Sequence, residues 1–236
     1  MQTPLAKTDA PLIPAYLKEH YDWAYVTPGA VRLFERQWLV NLILWGNYRR
    51  LRDAALAAFG DKLGGRSLQI ACVYGDLSCR WSDRHGPDGR LDVVDVLPGQ
   101  LANLAEKLAG RQNTGLFLAN SAHLGCEPGS YDRALLFFLL HEQPESVRRA
   151  TLAEALKALR PGGKLVIVDY HRPSRLHPLH WPMKGVLTAL EPFALDLWRT
   201  DLATWLPASL PPGALSRRTY FGGLYQLVEI SVPTAT

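Results

Sequence analysis

Between Ser67 and Arg172 the sequence alternates short apolar runs with stretches of helical spacing, and few architectures satisfy both at once. SLQIAC, RLDVVDV, GLFLA, RALLFFLL and KLVIVDY are each short enough for a strand and apolar at consecutive positions. PGQLANLAEKLAG and SVRRATLAEALKALR, lying between them, carry their apolar residues at helical intervals. Strands that are apolar on both faces are buried on both faces, so the expectation is a parallel sheet sandwiched by helices. Right-handed crossovers then bring every strand's carboxyl end to one edge, where such sheets bind ligands.

The flanks differ from this core. Thr27 and Pro28 read as a helix start, with Val31, Phe34, Trp38, Leu42 and Trp45 sharing one face. Gly60, Gly64 and Gly65 are expected to end that helical region. Residues 173–215 break the alternation with a Pro-, Trp- and Leu-rich stretch, expected to be a helical insertion or lid. RRTYFGGLYQLVEISV supplies a closing strand or hairpin. The expected division is therefore a helical cap over 1–65, a ligand-binding core over 66–172, the lid over 173–215 and closing strands over 216–236.

Length and composition fit this plan. A chain of 236 residues, 47% hydrophobic and 20% charged, is long enough to bury a full core. A net charge of +4 without a clustered basic stripe argues against nucleic acid. Cys72, Cys79 and Cys126 form no paired framework, and the first residues do not read as a secretory signal. WLVNLILW, the long apolar run near the front, falls far short of the roughly 20 residues that span a bilayer. The expectation is a cytoplasmic protein touching the inner membrane peripherally, through Trp38 to Trp45 and through Trp181 and Trp198, with Arg32, Arg36, Arg49, Arg50, Arg52, Lys184 and Arg199 nearby.

The first strand runs into QIACVYGDLS. A turn that lets backbone approach a ligand closely ordinarily uses glycines, in the pattern Asp-x-Gly-x-Gly-x-Gly of methyltransferases. Gln69, Ala71 and Val73 replace the acid and the first two glycines, and Gly75 alone remains. Three further segments restore the pattern. Asp95 closes the second strand, where an acid takes a ribose diol. Asn120 follows the third, where an amide oxygen would accept from an adenine amino group and its NH2 donate to a ring nitrogen. LKALRPGGKLVIVDY follows the turn-and-strand pattern of the same enzymes. Together these resemble a Rossmann-like class I S-adenosylmethionine-dependent methyltransferase, α/β in class, with N-terminal helices and a helical lid insertion. Val73, Tyr74, Gly75, Asp76, Asp95 and Asn120 are the residues expected to hold its cofactor, with Asp76 on the methionine amino group.

The run from Ser67 to Arg172 resembles quinone methyltransferases of the ubiquinone/menaquinone type. CVYGDLS, LFFLLHEQP, VDYHRP and RQWLVNLILWGNYRRLRDAAL are similar, more narrowly, to rhodoquinone biosynthesis proteins of purple bacteria and some eukaryotes. That resemblance implies an enzyme that takes ubiquinone to rhodoquinone, replacing a ring methoxy group with an amino group from S-adenosylmethionine, assisted by manganese. Val73 and Tyr74 place bulk where a methyl donor is normally gripped, which would shift the sulfonium ligand. Equally, Tyr74 would merely stack on the ligand or fill the turn. His141, Glu142, Asp169 and His171 follow the fourth and fifth strands, and two imidazoles with two carboxylates suit Mn(II) as a Lewis acid on a quinone carbonyl. Alternatively His141 or His171 moves protons. Tyr74, His141 and Asp169 are the expected catalytic groups. Two other readings compete: a conventional S-adenosylmethionine-dependent quinol methyltransferase, and a non-catalytic, membrane-associated cofactor-binding protein.

Overall fold

The computed structural model describes residues 13–19, 37–211 and 213–234. After a helical turn over residues 15–19, helices α1 (Gln37–Ile43) and α2 (Tyr48–Ala57) lead into the sheet. There follow β1 (Leu63–Ile70), α3 (Leu77–Ser82), β2 (His85–Asp95), α4 (Pro98–Lys107), β3 (Thr114–Leu118), β4 (Tyr131–Phe137), α5 (Glu145–Ala158) and β5 (Leu159–Tyr170). The chain closes with α6 (His180–Leu190), α7 (Asp196–Arg199), β6 (Leu215–Tyr220) and β7 (Tyr225–Ser231).

Seven strands form one sheet in the order β3-β2-β1-β4-β5-β7-β6. The first five pair in parallel, and β7 is antiparallel to both β5 and β6. This is the doubly wound, Rossmann-like arrangement expected from the alternation. Leu68, Ile70, Leu135, Leu136, Val166 and Ile167 are buried on β1, β4 and β5, so neighbours along one strand point to opposite faces and both are covered. Truncating such a side chain to Ala costs about 2–5 kcal/mol. Order reverses between β1 and β4, and the crevice beyond their carboxyl ends is where the fold places a ligand.

Three local expectations change. The front helix does not run through Trp45. α1 stops at Ile43, and Trp45 (φ 52°) and Gly46 (φ 77°) both turn left-handed, so Arg49, Arg50 and Arg52 belong to a second helix. Asn47 holds the corner, its Nδ2 donating to the Trp45 carbonyl at 2.9 Å and the Leu44 carbonyl at 3.2 Å. Gly64 and Gly65 do not close the helical region but lie within β1. β2 begins at His85, before the apolar run. Thr27, Pro28, Val31, Arg32, Phe34, Glu35 and Arg36 lie outside the described residues.

Candidate active site

Beyond the carboxyl ends of β1, β2 and β4 lies a cavity of about 450 Å³, walled mostly by apolar side chains. Asp95, His141, Glu142 and Glu191 are the ionisable groups of carboxylate or imidazole type that line it, and no Lys or Arg does so among the described residues. A cavity with that charge balance favours a cation over an anion.

One half is built by the turn after β1. Ala71 (φ 72°) turns left-handed, and the wholly buried Gln69 braces it: Nε2 donates to the Ala71 carbonyl at 3.0 Å, while Oε1 accepts from Ser78 Oγ at 2.8 Å. Asp95, ending β2, closes the turn from the other side. Its Oδ2 accepts from Cys72 N at 2.7 Å and its Oδ1 from Leu97 N at 2.8 Å. Burial pushes this carboxyl up to about 6, and the backbone N–H groups of Cys72 and Leu97 oppose the rise. Val73 and Tyr74 line the cavity, and the Tyr74 hydroxyl accepts from Gln100 Nε2 at 2.9 Å, which ties the turn to α4. Asn120 also lines it, but its Oδ1 accepts from Ala122 N at 2.9 Å. The oxygen expected on adenine is thus engaged in a local turn.

Gly75 and Asp76 do not line the cavity. Gly75 sits at φ 89°, and a Cβ there would run into the Tyr48 phenol. The Asp76 carboxylate is taken by the buried Arg52, whose Nη1 lies 2.6 and 2.8 Å from its two oxygens, and by Arg80. Burial raises the Asp76 carboxyl, but Arg80 and Arg52 outweigh it and leave the group below its ordinary range. An acid paired with two guanidiniums is not the free partner expected for a methionine amino group.

The other half is built after β4 and β5. A short 3-10 turn, Leu140–Glu142, follows the left-handed Phe138 (φ 55°) and sets His141 into the cavity wall. Asp169, wholly buried at the end of β5, orients it. Asp169 Oδ1 lies 2.9 Å from His141 Nδ1 and accepts from Tyr170 N at 2.8 Å, while Oδ2 accepts from Leu140 N at 2.8 Å. Burial pulls the imidazole down, but the Asp169 charge and hydrogen bond prevail and lift it to about 9. At neutral pH the ring is therefore an imidazolium, with Nδ1 committed to Asp169 and Nε2 remaining. Glu142 Oε1 is 3.9 Å from Nε2, and Tyr170 stands edge-on to the ring at 4.9 Å.

The four-residue metal set is not assembled. His171 is turned away, its Nδ1 on the Gly223 carbonyl at 2.8 Å, and it does not line the cavity. Asp169 has its oxygens filled by N–H donors. Among the described residues no group of three or more His, Cys, Asp or Glu side chains converges as metal ligands would. The donors present do not fit manganese.

Sequence reasoning missed Tyr16, Gln100 and Glu191. Tyr16, in the helical turn of residues 15–19, lines the cavity and meets Phe193 edge-on at 6.3 Å. No periodicity marks it. Gln100 lies one turn into α4, a position its sequence does not distinguish from the helix surface, and Glu191 stands just past the end of α6.

This fold is shared with solved S-adenosylmethionine-dependent methyltransferases. Residues 68–163 match the methyltransferase domain family, and solved structures agree in fold. An S-adenosylmethionine-dependent methyltransferase from Aquifex aeolicus superposes with a TM-score of 0.57 at 17% identity, covering 87% of this chain and 98% of that one. The phosphoethanolamine N-methyltransferase 2 of Haemonchus contortus gives 0.67 at 12%, covering 94% and 61%. More particularly, the chain is related in sequence to quinone-pathway methyltransferases. It is 29% identical over 132 residues to the 2-phytyl-1,4-naphtoquinone methyltransferase of Nostoc sp. and 29% over 135 residues to the ubiquinone/menaquinone biosynthesis C-methyltransferase UbiE of Rhizobium leguminosarum bv. trifolii. Each match takes in 55% of this chain, so the chain spans about half the length of the curated relatives it matches: 57% and 52%.

Proposed function

We propose that this chain is an S-adenosylmethionine-dependent transferase acting on the ring of a lipophilic quinone or its quinol, with methyl transfer to carbon as the leading reaction. The His141–Asp169 pair in the wall of a largely apolar cavity carries this reading. His141 Nε2 holds a proton and donates it as a hydrogen bond to a ring oxygen, stabilising the phenolate whose ortho carbon is the nucleophile. As the ring carbon takes the methyl, the C–S bond breaks and S-adenosylhomocysteine leaves; Glu142, beside Nε2, then receives the proton that the methylated carbon releases. Asp169 fixes the ring and its tautomer. Asp95 takes the ribose diol of the donor, and the Asn120 NH2 donates to an adenine ring nitrogen. When bound, S-adenosylmethionine supplies an electrophilic methyl on a sulfonium, a cation suited to the negative cavity. Residues 1–65 and 173–215 would form the acceptor side of the site, and residues 66–172 the donor side.

A second reading, amino transfer from the same donor to ubiquinone, is favoured by one specific observation. Gln69 is neutral where the pattern has an acid, and Asp76 is held by Arg52 and Arg80. Neither grips the donor's ammonium, and an imidazolium at His141 polarises a quinone carbonyl as readily as it stabilises a phenolate. The test uses S-adenosylmethionine labelled with carbon-13 in its methyl group and nitrogen-15 in its amino group, offered with demethylated quinol and with ubiquinone. Methyl label in product supports the leading reading, nitrogen label supports the second, and neither label in any quinone refutes both.

A further inference from the structure

Among the described residues, six of the seven large apolar side chains left exposed belong to just two stretches of chain. Leu42, Ile43 and Trp45 lie on α1 and the corner after it, and Trp181, Val186 and Leu190 lie on α6. The seventh, Leu176, is in the loop that leads into α6. The two stretches meet: Trp45 Nε1 donates to Met183 Sδ at 3.1 Å. They also frame the cavity, since Ile43, Val186 and Leu190 both line it and reach solvent. Leu42 is 63% and Trp181 64% exposed, and large apolar side chains gathered in one exposed patch mark an interaction surface. Trp45 is also held left-handed, a conformation a bulky residue rarely takes and one that marks functional positions.

Charge decides what covers this collar. Residues 37–52 and 172–190 contain no Asp or Glu. They carry Arg49, Arg172, Arg175 and Lys184 on the surface, the Lys184 ammonium lying 5.5 Å above the Trp181 ring. Apolar and aromatic residues flanked by basic ones match the boundary of an anionic bilayer, where rings sit at headgroup level and cations meet phosphates.

We infer that the collar formed by α1 and α6 docks the protein onto an anionic lipid surface, so that the cavity mouth opens into the bilayer. The inference rests on the lipophilic-acceptor reading only for its purpose: an acceptor with a long apolar tail reaches the site without crossing water.

The test is flotation of the full chain, without substrate, on vesicles of phosphatidylcholine alone or mixed with phosphatidylglycerol. The wild type is expected to float with the mixed vesicles and to be released by salt. The variant L42S/L176S/W181S should bind at least roughly tenfold more weakly. None of its three residues lines the cavity, so its donor binding in solution stays at the wild-type value. W181S alone, which removes one exposed ring, serves if the triple variant does not fold, with a roughly tenfold loss expected. K184E/R175E should abolish the preference for phosphatidylglycerol. A wild type that does not float, variants that float equally well, or a dimer whose dissociation alone exposes the collar would each overturn the inference. Because binding is read without turnover, flotation with no labelled quinone product would sink the proposed function and leave the docking surface intact.

Discussion

Replacing Asp169 by Asn would strip the buried carboxylate from His141 while changing little volume. The wild-type imidazole is carried from 6.5 to about 9, an interval worth about 3 kcal/mol in favour of its charged form. Because the folded value lies above the unfolded one, that stabilisation is complete below about pH 6.5 and is lost as pH rises through about 9. Urea unfolding of the wild type should therefore show a stability that falls by about 3 kcal/mol across that window. In Asp169→Asn only the charges of Glu191 and Glu142 still oppose burial, so the imidazole falls well below about 9 and the slope shrinks. The same variant should be less stable at pH 7 by about 3–5 kcal/mol, because removing one partner leaves buried donors on Leu140 and His141 poorly paired. Methyl or amino transfer should fall at least about a hundredfold, as for loss of an oriented acid–base group. The ring protons of His141, followed by NMR from pH 5 to 10, check the assignment directly. A wild-type ring that titrates at or below 6.5, or an identical slope in the variant, would refute the reasoning.

On the proposed role of the Asp95 carboxylate in holding the donor's diol, donor affinity measured by calorimetry should be flat above about pH 7 and weaken up to about tenfold per pH unit below 6; Asp95→Asn should remove that dependence. Gly75→Ala forces a Cβ against the Tyr48 phenol at a left-handed position and should lower stability by about 1–3 kcal/mol, read as a fall in Tm. Substituting Val73-Tyr74 by Gly-Thr tests whether that bulk shifts the donor: unchanged affinity together with unchanged product would refute a role for it. His171→Ala should leave turnover within about twofold while His141→Ala costs about a hundredfold or more, and comparable losses in the two would restore the metal reading.

The central sheet was legible because its strands are buried on both faces and so read as unbroken apolar runs. The strand beginnings were not. β1 starts with Leu63-Gly64-Gly65, where Gly65 turns left-handed against the Asp132 carboxylate, and paired glycines after a helix read locally as a stop. The break at Trp45 was hidden for a similar reason, since Leu42 and Trp45 keep helical spacing across a corner fixed by Asn47. In the site, Asp95 and His141 were legible because each follows an apolar strand at the ligand edge. The fate of Asp76 was not, because its partner Arg52 lies on a helix before the sheet begins, and no local pattern joins them. His171 follows β5 as His141 follows β4, yet the turn between β6 and β7 supplies a carbonyl at Gly223 that draws its ring away. Position after a strand places a residue at the edge. Which side of the edge its side chain takes depends on the neighbouring turn.

The Tyr48 hydroxyl accepts from Asp76 N at 3.0 Å and Leu77 N at 3.2 Å, so it supports the donor turn from beneath. Its residue also opens α2, directly after the corner that frames the acceptor mouth, and lines the cavity. On the proposed reading donor and acceptor are therefore not independent guests, because Tyr48 both holds the donor turn and lines the cavity. Reciprocity then sets the size of the coupling: whatever factor the acceptor adds to donor affinity by steadying α2, the donor returns to the acceptor. Tyr48→Phe should bring that factor toward one while leaving either ligand able to bind alone, which makes the coupling a property of a single hydroxyl.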